Sequence, residues 1–265
     1  MAVHWLEVHS LRVGYEPAGH GPPLILVHGA VCDSRVWERQ FDAFSGEFSV
    51  VAWDAPGCGE SADPPESFRL PEYADVLAGL LETLGLEPAH VLGHSFGGAL
   101  ALELARRHPE RVRTLILVGG YAGWAGSLPA SEVQRRLAFA LEAAERLPHD
   151  FDPESMPGLF SDKLAPEAAA TLSRIMSESR RVATRAMAYA LAEADLREAL
   201  PFIAVPTLLV YGDADERSSL TVAHDLRDGI PGSRLVVLPG LGHECYLEDP
   251  DRVNSEVRDF LREQS

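Results

Sequence analysis

The sequence predicts an α/β protein: a mostly parallel, eight-stranded sheet that helices cover on both faces, with a helical region inserted into it. Three observations lead to this fold class. Strand patterns alternate with helical patterns along most of the 265 residues, as a parallel sheet requires. Several strand segments are continuous apolar runs, which is typical of strands buried on both faces. Between residues 121 and 200, however, no segment has strand character.

Eight segments carry the strand pattern, and the first two are predicted to pair as a hairpin. The third, at residues 23–28, is the clearest buried run. In chain order the segments are His4–Val8, 11–15, 23–28, Ser49–Trp53, the apolar run before Ser95, Val112–Val118, 206–211 and Arg234–Leu238.

Helical spacing of apolar residues marks several of the segments between these strands. The first such set is Trp37, Phe41, Phe44 and Phe48, and the second is Tyr73, Val76, Leu77, Leu80 and Leu84. A last helix is predicted after Asp249, a favourable N-cap that Pro250 follows at the first helical position. Its apolar face consists of Val253, Val257, Phe260 and Leu261.

The interruption of the strand pattern divides the chain into a core and an insertion. We expect residues 1–120 and 201–265 to form the core domain, and residues 121–200 to form a helical cap inserted after the sixth strand. Helical stretches are predicted at 131–147, 166–180 and 181–194. An insertion with helices of its own is either a lid or a small subdomain.

Composition excludes several classes of partner. The formal net charge is −17, so nucleic acid and anionic membrane surfaces would be repelled. No run is long and apolar enough to span a membrane, and the N-terminus lacks the pattern of a signal peptide. Three cysteines at wide spacing favour a reduced, cytoplasmic setting. Monomer and homodimer both remain open.

No metal or cofactor is predicted. The cysteines and histidines do not show the spacing of metal ligands. The glycine-containing segment at residues 54–61 lacks both the G-x-G-x-x-G spacing and a Walker lysine.

The most informative motif surrounds Ser95. This serine lies between Gly93 and Gly97, directly after an apolar strand pattern and before the helix-favouring run at residues 99–104. Glycines at these positions allow neighbouring chain to pass close to a sharp strand-to-helix turn. Such a turn exposes the hydroxyl near the N–H groups of a helix N-terminus. We therefore interpret Ser95 as a nucleophile.

A serine nucleophile needs a base and a group that orients the base. In open parallel sheets such groups gather at the carboxyl ends of the strands. Asp213 and Asp215 follow the strand at 206–211, and His243 follows Arg234–Leu238. His243 is the candidate base, and either aspartate could orient it.

With these motifs the chain resembles α/β-hydrolases that carry a helical cap, and the resemblance covers nearly all of it. The family's G-x-x-D motif matches residues 212–215, which implies that Asp215 is the acid, with Asp213 as the alternative. Its G-x-G-H motif matches residues 240–243, ending at His243. Its H-G-x motif matches residues 28–30, which implies that the backbone N–H groups of Ala30 and Phe96 form the oxyanion hole.

The resemblance implies a cofactor-independent serine hydrolase that cleaves a small carboxylic ester or lactone through an acyl-enzyme. Dehalogenases and epoxide hydrolases of this fold need aspartate in place of Ser95, so an acyl-enzyme is the default. Two alternatives remain open: a carbon–carbon bond hydrolase of diketone or ring-cleavage products, and a small-molecule receptor that retains the triad. The predicted substrate contacts are Trp37, Trp124, Phe139, Phe160 and Met187.

Overall fold

All eight predicted strands form a single sheet. A computed structural model describes residues 3–145, 158–159 and 161–264 of the chain. The strands are β1 (His4–Val8), β2 (Leu11–Ala18), β3 (Pro23–Val27), β4 (Ser49–Trp53), β5 (Ala89–His94), β6 (Val112–Val118), β7 (Thr207–Gly212) and β8 (Arg234–Leu238). Their spatial order is β1-β2-β4-β3-β5-β6-β7-β8. Strand β2 pairs antiparallel with β1 and β4, and every other pair is parallel. The predicted fold class is confirmed.

Helices lie between the strands along the chain, and the last two come after β8. They are α1 (Glu38–Phe44), α2 (Leu70–Leu84), α3 (Phe96–Arg107), α4 (Ala130–Glu145), α5 (Pro166–Ser177), α6 (Arg181–Glu193), α7 (Leu220–Gly229), α8 (Cys245–Glu248) and α9 (Pro250–Glu263). Asp249 caps α9 as predicted, because its side chain accepts the N–H of Arg252 at 3.2 Å. None of the described helices is long and apolar enough to cross a membrane.

Two details differ from the sequence expectations. Helix α7 is absent from the predicted helices. It has only three buried residues, Val222, Ala223 and Leu226, so its apolar pattern is weak. A parallel connection between β7 and β8 nevertheless requires a crossover. Phe48 does not continue α1. The helix ends at Phe44, and the Phe48 ring packs edge-on against the Phe44 ring from the following turn, with centroids 6.3 Å apart.

The sheet separates two apolar cores. Along β3, Ile25 and Val27 belong to one core and Leu24 and Leu26 to the other, as the two-residue period of a strand dictates. Residues of α2, α3 and α6 fill the first core. Residues of α1, α5 and α9 fill the second. Helices therefore cover both faces of the sheet.

Helices α4, α5 and α6 form the region inserted between β6 and β7. Helix α6 packs against α4 and also against α2 and α3 of the core. Arg180, just before α6, binds the core through the backbone oxygens of Gly59 and Ser61. The predicted end of the first inserted helix, residue 147, lies outside the described residues, and the limits of the cap at 121 and 200 stay a prediction.

The start of α3 crosses the end of β3 at very short distance. A Cβ atom added at Gly97 would lie 2.0 Å from the Val27 carbonyl oxygen, and one at Gly93 would lie 2.2 Å from the Gly97 oxygen. Both of these neighbouring atoms belong to the backbone, so admitting a side chain there would distort the sheet or the helix. Glycine at these positions therefore allows the strand-to-helix turn to form.

We expect Gly97→Ala to lower the free energy of unfolding by about 3 kcal/mol, because backbone atoms must separate to admit the methyl group. Urea denaturation of the two proteins measures this difference. Gly46→Ala is the matched control, since no described atom lies within 4 Å of a Cβ added there. An unchanged urea midpoint for Gly97→Ala would contradict the crossing geometry.

Candidate active site

Three loops at the carboxyl edge of the sheet bring Ser95, Asp215 and His243 together. They follow β5, β7 and β8 respectively. The Ser95 Oγ and His243 Nε2 atoms are 3.0 Å apart. The His243 Nδ1 and Asp215 Oδ2 atoms are 2.9 Å apart. With Nδ1–H donating to the carboxylate, Nε2 is left to accept the serine hydroxyl proton.

Ser95 has a strained backbone. Its φ is 53° and its ψ is −110°, an unusual region for a residue other than glycine. Backbone hydrogen bonds hold it on both sides: its N–H donates to the Val118 oxygen, and its carbonyl accepts the N–H groups of Gly98 and Ala99. The turn thus places the half-buried hydroxyl at the start of α3.

The structure separates the two candidate acids by their surroundings. Asp215 is buried, and its Oδ1 accepts the N–H groups of Arg217 and Ser218, each at 2.7 Å. Its Oδ2 is thereby directed at His243. Asp213 is exposed and accepts the Gly240 N–H at 2.6 Å instead. Only Asp215 is in contact with the imidazole.

A second buried layer supports the backbone of His243. His94 Nε2 donates to the His243 carbonyl oxygen at 3.1 Å, and the two rings lie 4.9 Å apart. Burial lowers the pKa of His94, with the nearby His243 acting in the same direction. A neutral His94 ring therefore fixes the carbonyl of His243.

Glu244 completes this layer, and sequence reasoning missed it. Its side chain is 2 % exposed, and its Oε2 lies 3.8 Å from His94 Nε2. Burial raises the pKa of Glu244 from 4.5 to about 7, a rise that the nearby His243 and Arg217 reduce. The one sequence feature that could have indicated its role is its position next to His243.

The two predicted oxyanion donors lie in the expected loops. Phe96 is the first residue of α3, so its N–H has no acceptor within the helix. Ala30 follows β3 in the turn 29–32. His28 braces that turn: its Nδ1 donates to the Gly29 oxygen at 2.7 Å, and its Nε2 accepts the Ala55 N–H at 3.0 Å.

Comparison with known proteins identifies the family. A family model described as the alpha/beta hydrolase fold matches residues 22–250. The chain belongs to the α/β-hydrolase family. It is 30% identical over 264 residues to an AB hydrolase superfamily protein of Bacillus subtilis, covering 97% of this chain and 98% of that protein.

Solved structures of other proteins are also similar to this chain. A thermophilic esterase from Thermogutta terrifontis has a TM-score of 0.90 and 28% identity, covering 100% of this chain and 99% of that chain. The enol-lactonase from Burkholderia xenovorans has a TM-score of 0.80 and 25% identity, covering 98% and 100%.

In this α/β-hydrolase a cavity of about 570 Å³ lies between the core and the inserted helices. Ala30 and Val31 line it from the core. Three of the predicted substrate contacts, Trp124, Phe139 and Met187, line it from the insertion. Five arginines also line it: Arg135, Arg136, Arg180, Arg181 and Arg217. Arg136 donates to the Tyr121 hydroxyl and to the Arg217 oxygen.

Two other predicted contacts are not among these. Trp37 is fully buried in the core on one face of the sheet, where its ring lies 4.7 Å from that of Tyr246. It does not line the described part of the cavity, so the structure corrects that expectation. Phe160 lies outside the described residues.

Within the described part of the chain, one group of side chains has the composition of a metal site. It consists of His94, His243 and Glu244, with candidate ligand atoms up to 4.8 Å apart. His243 is also in contact with Ser95 and Asp215, so the arrangement suits acid–base chemistry better than metal binding.

Glu244 makes stability depend on pH. The folded pKa is raised from 4.5 to about 7, so its contribution is fully present below pH 4.5 and is lost as the pH rises to 7. We expect Glu244→Gln to remove this dependence. Between pH 4.5 and 8 the wild type should lose about 3 kcal/mol more than the variant in free energy of unfolding.

Urea denaturation at several pH values measures the effect. Glu198→Gln, at an exposed glutamate, is the matched control and should keep the pH dependence of the wild type. If the free energy of unfolding depended on pH equally in wild type and Glu244→Gln, this carboxyl would ionise normally in the folded protein.

Proposed function

We propose that this α/β-hydrolase is a cofactor-independent serine hydrolase that cleaves a small carboxylic ester or lactone through an acyl-enzyme. The observation that carries the proposal is the chain of two hydrogen bonds that links the Ser95 hydroxyl to His243 and His243 to Asp215, at 3.0 and 2.9 Å. Nucleophile, base and orienting acid are the three parts that acyl transfer needs. All three come from the chain itself.

In the first half-reaction, Ser95 Oγ attacks the carbonyl carbon while His243 Nε2 takes the hydroxyl proton. The carbonyl π electrons move to oxygen, and the N–H groups of Ala30 and Phe96 donate to this oxyanion. The tetrahedral species collapses, the bond to the alcohol oxygen breaks, and His243 gives its proton to that oxygen. Asp215 stays ionised and stabilises the imidazolium.

In the second half-reaction, water replaces the alcohol. His243 takes a proton from the water as its oxygen attacks the acyl carbon. The second tetrahedral species expels Ser95, which regains its proton from His243. The products are a carboxylic acid and the free enzyme; a lactone gives a single hydroxy acid.

The cavity and the similar proteins support an ester or lactone as substrate. The cavity is lined mainly by apolar side chains such as Trp124, Phe139 and Leu191, and small-molecule sites commonly combine such walls with a few polar groups. Its size of about 570 Å³ lies in the usual range for one small ligand. One similar solved structure is an esterase and another is an enol-lactonase.

We expect a fluorophosphonate to label the wild type once, as seen by intact-mass spectrometry, and to leave Ser95→Ala unlabelled, because Ser95 carries the activated hydroxyl. Turnover of p-nitrophenyl esters should disappear in the same variant. Labelling without turnover of any ester would favour a receptor, or a hydrolase of another bond. Equal labelling of Ser95→Ala would contradict the proposed nucleophile.

Substituting the two aspartates should affect kcat very differently. Asp215→Asn leaves an amide that cannot hold His243 in the correct tautomer, and we expect kcat to fall by roughly 10³ to 10⁴. Asp213→Asn keeps an oxygen that can accept the Gly240 N–H and should change kcat less than about threefold. Steady-state kinetics with p-nitrophenyl butyrate compares them, and a larger loss in Asp213→Asn would reassign the acid.

A further inference from the structure

The turn that follows β3 has a strained residue at its centre. Val31 has a φ of +55°, which lies in the left-handed region. A β-branched residue is a genuine outlier there. Such a conformation persists only where the surrounding structure imposes it, and it is found most often at functional sites. Val31 directly follows Ala30, one of the two proposed oxyanion donors.

A contact from the insertion holds Val31. Its N–H donates to Met187 Sδ, with nitrogen and sulfur 3.5 Å apart. Met187 belongs to α6, is fully buried, and lines the cavity beside Ala30 and Val31. A thioether is a weak acceptor. It nevertheless gives this amide a hydrogen-bond partner in the wall of the cavity.

The preceding peptide group is held from the core. The Gly29 oxygen accepts from His28 Nδ1 at 2.7 Å and from the Cys32 N–H at 3.3 Å. Because a peptide group is planar, the position of this oxygen and the course of the chain through residue 31 together set the direction of the Ala30 N–H. The next peptide group ends in the N–H that meets Met187. The two contacts together define the conformation of Ala30.

We propose that Met187 is a positioning residue for the reaction: its sulfur accepts the Val31 N–H and keeps the turn 29–32 in the conformation that aims the Ala30 N–H at the substrate carbonyl oxygen. This inference rests on the proposed function, since Ala30 acts as a donor only if an oxyanion forms. Without the sulfur, Val31 relaxes towards a negative φ and the donor is displaced. Displacement slows the chemical step and has little effect on binding of the acyl group.

Met187→Leu tests the proposal in the full-length chain, because it nearly conserves volume and removes the acceptor. We expect kcat for p-nitrophenyl butyrate to fall about tenfold, with KM changed less than about twofold. Met176→Leu is the matched comparison, since Met176 is also buried and lines the same cavity from α5. The loss of kcat in Met187→Leu must exceed that in Met176→Leu at least about fivefold.

Val31→Gly separates positioning from packing. Glycine adopts a φ of +55° without steric cost, so the turn no longer depends on the sulfur. In the Val31→Gly background we expect Met187→Leu to lower kcat less than about twofold. Equal losses in both backgrounds, or a loss confined to KM, would overturn the proposal. Thermal midpoints establish that each variant is folded, and Met187→Ile replaces the leucine variant if that one does not fold.

The rate of fluorophosphonate labelling distinguishes a failure of this inference from a failure of the proposed serine hydrolase function on which it rests. Slower labelling of Met187→Leu that recovers in the Val31→Gly background supports the proposal, because the phosphonyl oxygen uses the same donors. Equal rates in wild type and Met187→Leu overturn this inference and leave the serine hydrolase intact. A wild type that is not labelled at Ser95 overturns both.

Discussion

The close crossing of α3 over the end of β3 is the constraint on which the site depends. The Gly97 Cα approaches the Val27 carbonyl so closely that a methyl group would lie 2.0 Å from the oxygen. This crossing brings the N-terminus of α3 beside the turn that follows β3. It also forces Ser95 into a φ of 53°. The proposed nucleophile and both proposed oxyanion donors are therefore brought together by one packing contact in the core.

Much of the fold follows from patterns that sequence carries directly. The central strands are almost entirely buried, so β3 and β7 appear as nearly continuous apolar runs, and β5 and β6 contain shorter apolar stretches. Parallel strands place their carboxyl ends at one edge of a sheet, so Ser95, Asp215 and His243 could be expected to meet once their strands were recognised. The choice of Asp215 over Asp213 needed the family motif, because two residues in one loop can point in opposite directions.

The features that sequence reasoning missed depend on which way a side chain faces. Trp37 has the spacing and chemistry of a pocket residue, but its helical turn directs it into the core beside Tyr246. Glu244 has no periodic pattern, and its importance comes from burial next to His94. The contact of Val31 with Met187 joins residues 156 positions apart. Local patterns cannot report such distant contacts.

Two residues other than glycine adopt positive φ at this edge of the sheet, Ser95 and Val31, each beside a proposed oxyanion donor. Strain at Ser95 is imposed by the sheet and α3, which belong to the core. Strain at Val31 is matched by a contact from the insertion. A donor that is aimed before substrate arrives needs no reorganisation during the reaction, and this is the main advantage of a preorganised site. Because the two strained residues are held by different parts of the chain, the position of the inserted helices bears on the geometry around the proposed oxyanion donors as well as on the shape of the cavity.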